Sequence, residues 1–236
     1  MEPKHLQIFF EVVVLLLAIS VHESAHAWMA SRYGDPTARL LGRVSLNPIR
    51  HIDLFGTIIL PAMLILSGTG FVFGWAKPTP VDPRNFKEPV KADIMTSVAG
   101  PASNFMLVGI AFFVLAGVLA VSANARDVFP LALQQMVARE SLAYAGEMTI
   151  AFPITLFLAN MILINVLLGV FNLVPLPPLD GSHVIRHLMP EDMRRIYDMA
   201  GMVGLILFMI WGSKYLWMVM APILGILFGI LRSIHG

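Results

Sequence analysis

The chain has 236 residues, 57% of them hydrophobic and only 13% charged, with a mean hydropathy of +0.77. A soluble domain cannot hide that much apolar surface, so the composition describes a multi-span membrane protein, and the long apolar runs taken below make the expected fold all-α and polytopic. The net charge of +1 gives no basis for nucleic-acid binding, and the absence of cysteine excludes disulfides and thiolate metal ligands.

The first apolar run begins at Leu6 and continues past Val21, which predicts a span over about 6–31. Its charged opening could pass for a signal peptide, but the run proceeds into polar residues without a cleavage site. Those residues are His22-Glu23-Ser24-Ala25-His26. On a helix His22 and His26 leave the same face one turn apart, the spacing that zinc requires of two ligands, with Glu23 beside them. A histidine–glutamate cluster in hydrocarbon is costly and therefore points to function. Glu11 shares the stripe three turns away and reads as an outer-interface residue.

Gly34-Asp35-Pro36 ends the helix, and the partial alternation of Arg39 to Leu46 predicts a short strand before the Asn47-Pro48 turn. His51 reads as a polar loop residue that caps backbone. The next run, Leu54 to Phe73, holds Pro61 and breaks at Ser67-Gly68-Thr69-Gly70. About a dozen helical residues cover only ~18 Å of a ~30 Å core, so the run predicts a re-entrant half-helix. The whole re-entrant element spans 54–76, with Phe71 to Ala76 returning as extended chain. Irregular backbone at that depth must be buried in protein or line a wet cavity.

Spans follow over about 94–122 and 148–174, the latter with Asn160, Asn165 and Asn172. Asn160 and Asn165 read as interhelical hydrogen-bonders. Between the spans, Leu131 to Tyr144 looks amphipathic and interfacial. Pro175-Leu176-Pro177-Pro178-Leu179-Asp180-Gly181 cannot stay helical. A charged helix is expected from Ser182 to about Asp198, then apolar segments over 199–231 that Gly212 divides into a C-terminal hairpin. His183 and His187 repeat the i, i+4 spacing but lack an adjacent glutamate.

If 54–76 re-enters, one side of the membrane holds Arg32, Arg39, Arg43, Arg50, Lys77, Arg84, Lys87, Lys91, Arg186, Arg194, Arg195 and Arg232. Only Lys4, Arg126, Arg139 and Lys214 remain for the other. The positive-inside rule then predicts a cell-membrane protein with its active-site face toward the cytoplasm and its N-terminus outside.

A catalytic zinc normally has three protein ligands. Asp180 is the candidate third, set in a proline-broken turn; its alternative role is to cap the helix that follows. No suitable glutamate competes, since Glu140 and Glu147 fall on the far side.

Three stretches, His22 to His26, Gly100-Pro101-Ala102-Ser103-Asn104 and Asn172 to Gly181, together resemble the site-2 protease family of intramembrane zinc metalloproteases. Leu46 to Asp53 and Phe73 to Pro78 resemble its compact prokaryotic branch. The likeness runs along nearly the whole chain, which makes 1–236 a single integral-membrane domain without room for PDZ or nucleotide-sensing modules. It implies a three-helix catalytic core, one zinc per chain on His22, His26 and Asp180, and Glu23 as catalytic base. It further implies a substrate- or oxyanion-binding role for Asn104, with Asn172 the lesser candidate. The expected partners are transmembrane protein substrates and the bilayer, and the expected activity is peptide hydrolysis in or near transmembrane segments. An intramembrane metal transporter is the rival reading, since it too needs histidine and carboxylate at mid-membrane.

Overall fold

The computed structural model describes residues 3–60, 63, 74–138 and 149–234. Its helices are α1 (Pro3–Arg32), α2 (Thr37–Leu40), α3 (Pro89–Val121), α4 (Ala123–Ala138), α5 (Ala151–Asn172), α6 (Gly181–Leu188), α7 (Glu191–Trp211) and α8 (Ser213–Ser233). No strand occurs among the described residues. Lys4–Arg32, Pro89–Val121, Ala151–Asn172 and Lys214–Ser233 are long and apolar enough to cross a membrane, so the fold is all-α and polytopic. Helices suit that setting because each satisfies its own backbone where no water is at hand.

The chain divides into two compact units, one of residues 19–103 and one of residues 1–18 with 104–236. The second is a helical bundle. Leu115, Leu119, Phe129, Leu156, Ile162 and Val166 are fully buried in its core. There α4 packs on α5, and α8 touches both α5 and α7. Close packing and polar bonds, more than water exclusion, hold such helices together in lipid. Gly169 illustrates the packing: a Cβ there would come 3.0 Å from the Phe105 ring. The amides illustrate the bonding. Asn160 Nδ2 donates to Gln7 Oε1 at 3.2 Å, and Gln7 Nε2 donates to Asn160 Oδ1 at 3.0 Å and to Glu11 Oε1 at 2.7 Å. Asn160 and Asn165 are interhelical bonders, as their sequence setting suggested.

Two expectations for this bundle change. The helix expected from Ser182 to Asp198 is broken, because Pro190 lacks an amide and holds Met189 extended, so α6 stops at Leu188. The helix that restarts at Glu191 runs without a break to Trp211, and the next interruption is Gly212. A Cβ on Gly212 would meet the Phe208 carbonyl at 2.4 Å. The amphipathic stretch begins helical within α4 and buries Leu133 and Met136, whereas residues 139–148, with Glu140 and Glu147, lie outside the described residues.

The other unit is mostly irregular between the end of α1 and the start of α3. The strand expected over 39–46 is absent; a helical turn and a glycine stop take its place. Asp35 accepts the Thr37 amide and starts α2. Gly42, at φ +70, ends it in a Schellman pair, with Gly42 N–H donating to Arg39 O and Arg43 N–H to Ala38 O. Local capping overrides an alternation too short to pair with anything. Next, Asp53 accepts the Gly56 amide at 2.7 Å and opens a wide π-helical turn, Leu54–Ile59. Residues 61–62 and 64–73 of the expected re-entrant element, including Phe71 to Phe73, lie outside the described residues.

From Gly74 to Asp82 the chain has no regular secondary structure. Its path is fixed on one edge: Trp75 N–H donates to Gly56 O, the Thr57 hydroxyl to Trp75 O, and Lys77 N–H to His51 O. The buried Arg43 guanidinium clamps the same edge through the carbonyls of Arg50, Lys77 and Pro78. His51 is buried and meets Ser45 O through Nε2 at 2.7 Å, the backbone-capping role its loop setting suggested.

Candidate metal centre

The helical spacing of His22 and His26 has the consequence foreseen. Both imidazoles are buried, at 7% and 8% exposure, with ring centroids 4.6 Å apart and Nε2 atoms 3.0 Å apart. The Nδ1 of His26 lies 2.7 Å from the carbonyl oxygen of Thr96. A carbonyl only accepts, so His26 carries its proton on Nδ1 and presents Nε2 as a lone pair. Metal-ligating histidines are oriented in this way by their other nitrogen. Two ligand nitrogens on one tetrahedral zinc stand about 3.3 Å apart, close to the separation found here.

Helix α3 makes room for the pair. A Cβ on Gly100 would fall 2.4 Å from His26 Nε2 and 2.6 Å from His22 Nε2. Only glycine leaves the two Nε2 atoms unobstructed. Pro101 follows and withdraws the amide that would bind the Ser97 carbonyl, next to the Thr96 carbonyl that His26 uses. The Ser103 hydroxyl donates back to Gly100 O at 2.7 Å and steadies the turn. Nitrogen donors, a fixed tautomer and a cradle that one Cβ would fill together fit zinc.

Glu23 points to a different partner. Its Oε2 accepts the Thr79 hydroxyl at 2.8 Å and the Thr79 amide at 3.1 Å. Thr79 lies 56 positions away, and nothing in the sequence announces the contact. The Thr96 carbonyl and the steric role of Gly100 were equally silent.

The remaining predicted residues belong to the bundle unit. Asp180 heads α6 but makes no side-chain cap bond to it, so the capping alternative is not realised. Its turn is tightly built. A Cβ on Gly181 would lie 2.3 Å from the Leu173 carbonyl oxygen, one on Gly201 would lie 2.3 Å from Pro177, and Tyr197 Oη donates to Pro175 O at 2.8 Å. Asn104 is fully buried and donates through Nδ2 to Asn165 Oδ1 at 2.9 Å. An amide has two N–H groups, so this bond orients Asn104 without using it up. Asn172 Nδ2 donates to Leu168 O in its own helix at 3.0 Å.

Residues 10–211 match Peptidase family M50. Among curated proteins, the chain is 38% identical over 213 residues to YwhC of Bacillus subtilis, an inferred zinc metalloprotease, covering 87% of this chain and 83% of that one. Rip2 of Mycolicibacterium smegmatis and Rip2 of Mycobacterium tuberculosis, also inferred zinc metalloproteases, are 28% and 26% identical. Each of these two matches covers 77% of this chain but only 58% of the relative. No solved structure gives a significant match.

Proposed function

The chain belongs to peptidase family M50 and is a multi-pass membrane metalloprotease, and from that premise we propose that it is a zinc-dependent intramembrane endopeptidase. It cleaves peptide bonds in or near transmembrane segments of membrane-protein substrates, as in regulated intramembrane proteolysis. The observation that carries this reading is the convergence of the two Nε2 atoms in the cradle of Gly100, next in sequence to an oriented glutamate.

His22, His26 and Asp180 would hold one zinc per chain through two nitrogens and a carboxylate. Zinc so held polarises a carbonyl and makes water acidic enough to act near neutral pH. Glu23 takes the proton of the attacking water and returns it to the leaving amine. Asn104, oriented by Asn165, offers an amide N–H to the oxyanion, and Asn172 is the lesser candidate because its amide is turned to Leu168. By the positive-inside rule, the distribution of basic residues supports an active-site face toward the cytoplasm and an N-terminus outside. Cysteines introduced at Asn47 and Arg84 should therefore both label from the cytoplasmic side.

A helical substrate hides its carbonyls in its own hydrogen bonds and must be unwound. The segment after Gly74 offers an edge for that. Trp75 and Lys77 turn inward to Gly56 and His51, whereas among the described residues nothing meets the backbone groups of Gly74 and Ala76. An unwound peptide could pair there.

The test is cleavage by the purified protein in detergent of single-span substrates, with and without a chelator. Chelator-sensitive cleavage that disappears in Glu23→Gln supports the reading. Metal flux into sealed liposomes without cleavage would instead make the chain a transporter.

A further inference from the structure

Glu23 is held by a residue that no motif contains. The Thr79 hydroxyl stands 2.8 Å from Oε2 and 3.1 Å from the Glu23 carbonyl, and the Thr79 amide is 3.1 Å from the same Oε2. A hydroxyl has one hydrogen, and the nearer acceptor takes it. Two donors therefore converge on one carboxylate oxygen, while among the described residues no donor meets Oε1. Such a carboxylate has one oxygen pinned and the other left to take a proton.

The backbone that delivers Thr79 is itself immobilised. Arg43 donates to Lys77 O at 2.9 Å and Pro78 O at 2.6 Å, on the two residues just before it. Asp35 accepts the Asp82 amide at 2.7 Å, three residues after it. Thr79 thus sits between two anchors, a poor place for a side chain that only fills space and a good one for a group that must be placed to a few tenths of an ångström.

We propose that Thr79 is the positioning residue for the catalytic base: its hydroxyl and amide fix the Glu23 carboxylate so that Oε1 faces the proton it abstracts. This rests on the reading of Glu23 as the base. Thr79 does not touch the reacting atoms and acts only through Glu23. Since misplacing a base costs rate and leaves ground-state binding alone, its loss appears in kcat and not in KM.

The experiment compares Thr79→Val, Thr79→Ala and Thr79→Ser in the full-length protein, with Glu23→Gln and Glu23→Asp as references. Val keeps the shape and the amide but removes the hydroxyl. Expected for Val and Ala is a fall in kcat of roughly 10- to 100-fold, the range typical of losing a supporting bond around a metal site. KM, zinc content and melting temperature stay near wild type, and Ser restores most of the rate. In a Glu23→Asp background, Thr79→Val should cost much less, because the misplaced shorter carboxylate no longer uses the hydroxyl. Infrared difference spectra of the metal-free protein supply a readout independent of turnover. The carboxylate band that vanishes in Glu23→Gln should shift in Thr79→Val and return in Thr79→Ser. An unshifted band with wild-type kcat in Thr79→Val, while Glu23→Gln is inactive, overturns the inference and leaves the base assignment standing. Losses that follow melting temperature and zinc content alone, without rescue by Ser, reduce Thr79 to a structural tie and overturn it too. Full cleavage by Glu23→Gln overturns the base assignment and this inference with it.

Discussion

The histidine cluster and the amide network of the bundle are both buried and polar, yet they are built on opposite principles. In the bundle, donors meet acceptors: Gln7 and Asn160 exchange hydrogen bonds in both directions, and Asn104 donates to Asn165. At the histidines, two imidazole nitrogens meet. His26 donates its Nδ1–H to Thr96 O, and its Nε2 lies 3.0 Å from the Nε2 of His22 beside a glycine that keeps the space open. A buried group that finds its complement within the chain serves cohesion. Two imidazole nitrogens brought to one point suit a cation from outside the chain. Apolar runs with scattered polar residues describe both regions, so only geometry separates glue from site.

The comparison breaks most visibly at the metal. His22→Ala and His26→Ala should each reduce bound zinc from about one per chain to near zero by metal analysis, and abolish cleavage. Gly100→Ala is the sharper case, since it alters no ligand. Its methyl would stand 2.4 Å from His26 Nε2, so zinc should be lost or bound at least tenfold more weakly. Full occupancy in Gly100→Ala would mean that the imidazoles move aside freely and that the cradle is incidental. Asp180→Ala should weaken zinc comparably, and full occupancy there would remove Asp180 from the ligand set.

Next in size is the step that separates binding from chemistry. Glu23→Gln preserves shape and the contact with Thr79 but loses the base. Zinc should remain, and peptide hydrolysis should fall about 10²- to 10⁴-fold. Turnover within a few-fold of wild type would assign the base elsewhere.

The substrate edge gives a smaller and more selective effect. Ala76→Pro removes an amide that meets no partner among the described residues, whereas Trp75→Pro removes one already given to Gly56. Ala76→Pro should keep zinc and lower cleavage of transmembrane substrates about tenfold, losing less on a short peptide that is extended already. Trp75→Pro should lower stability and harm both substrates alike. Equal losses for Ala76→Pro on both substrates would show that the edge shapes the site without holding the substrate.

These experiments also mark where the sequence was legible. The histidine spacing lies within one helix, so its geometry follows from 3.6 residues per turn and needed no tertiary information. The long spans were equally visible, because lipid permits little else. The strand expected over 39–46 does not form because the alternation of Arg39 to Leu46 is outweighed by two local devices, the Asp35 carboxylate at one end and Gly42 at the other. Pro190 breaks the helix that the charged pattern around it predicts. Thr79 and Gly100 could not have been read at all. Their roles lie in contacts across tens of residues, to Glu23 in one case and to two imidazoles in the other, and neither residue type advertises them.

The loop framework of the histidine unit should respond to acid. Asp35 is fully buried. Burial pushes its carboxyl up, but the hydrogen bonds from the Thr37 hydroxyl, the Asp82 amide, the Asn85 amide group and the Thr37 amide together outweigh burial and hold it below its ordinary value of 3.8. A carboxyl lowered in the folded state stabilises above its unfolded value, and that contribution is lost as pH falls through the folded one. The loss therefore belongs to pH below about 4. Asp35→Asn should cost about 1–3 kcal/mol at neutral pH and flatten the acid limb of the stability curve. An unchanged acid limb in Asp35→Asn would place that sensitivity at another carboxylate.

The smallest effect is expected in the bundle, and it tests the comparison from the other side. Asn160→Leu removes the partner of Gln7 and leaves the Gln7–Glu11 bond in place. Hydrogen bonds between membrane helices are worth about 0.6 kcal/mol on average, so the melting temperature should drop by only a few degrees. The paired change Gln7→Leu with Asn160→Leu removes donor and acceptor together and should recover part of the loss, because no buried amide is then left without a complement. Zinc content and kcat should be those of wild type in both variants, since these amides answer one another and no ligand. The result that would break the comparison is a large fall in kcat with zinc and melting temperature retained. Satisfied polar groups would then also belong to the machinery, for instance by carrying water to the site, and mutual satisfaction would no longer distinguish glue from function in this chain.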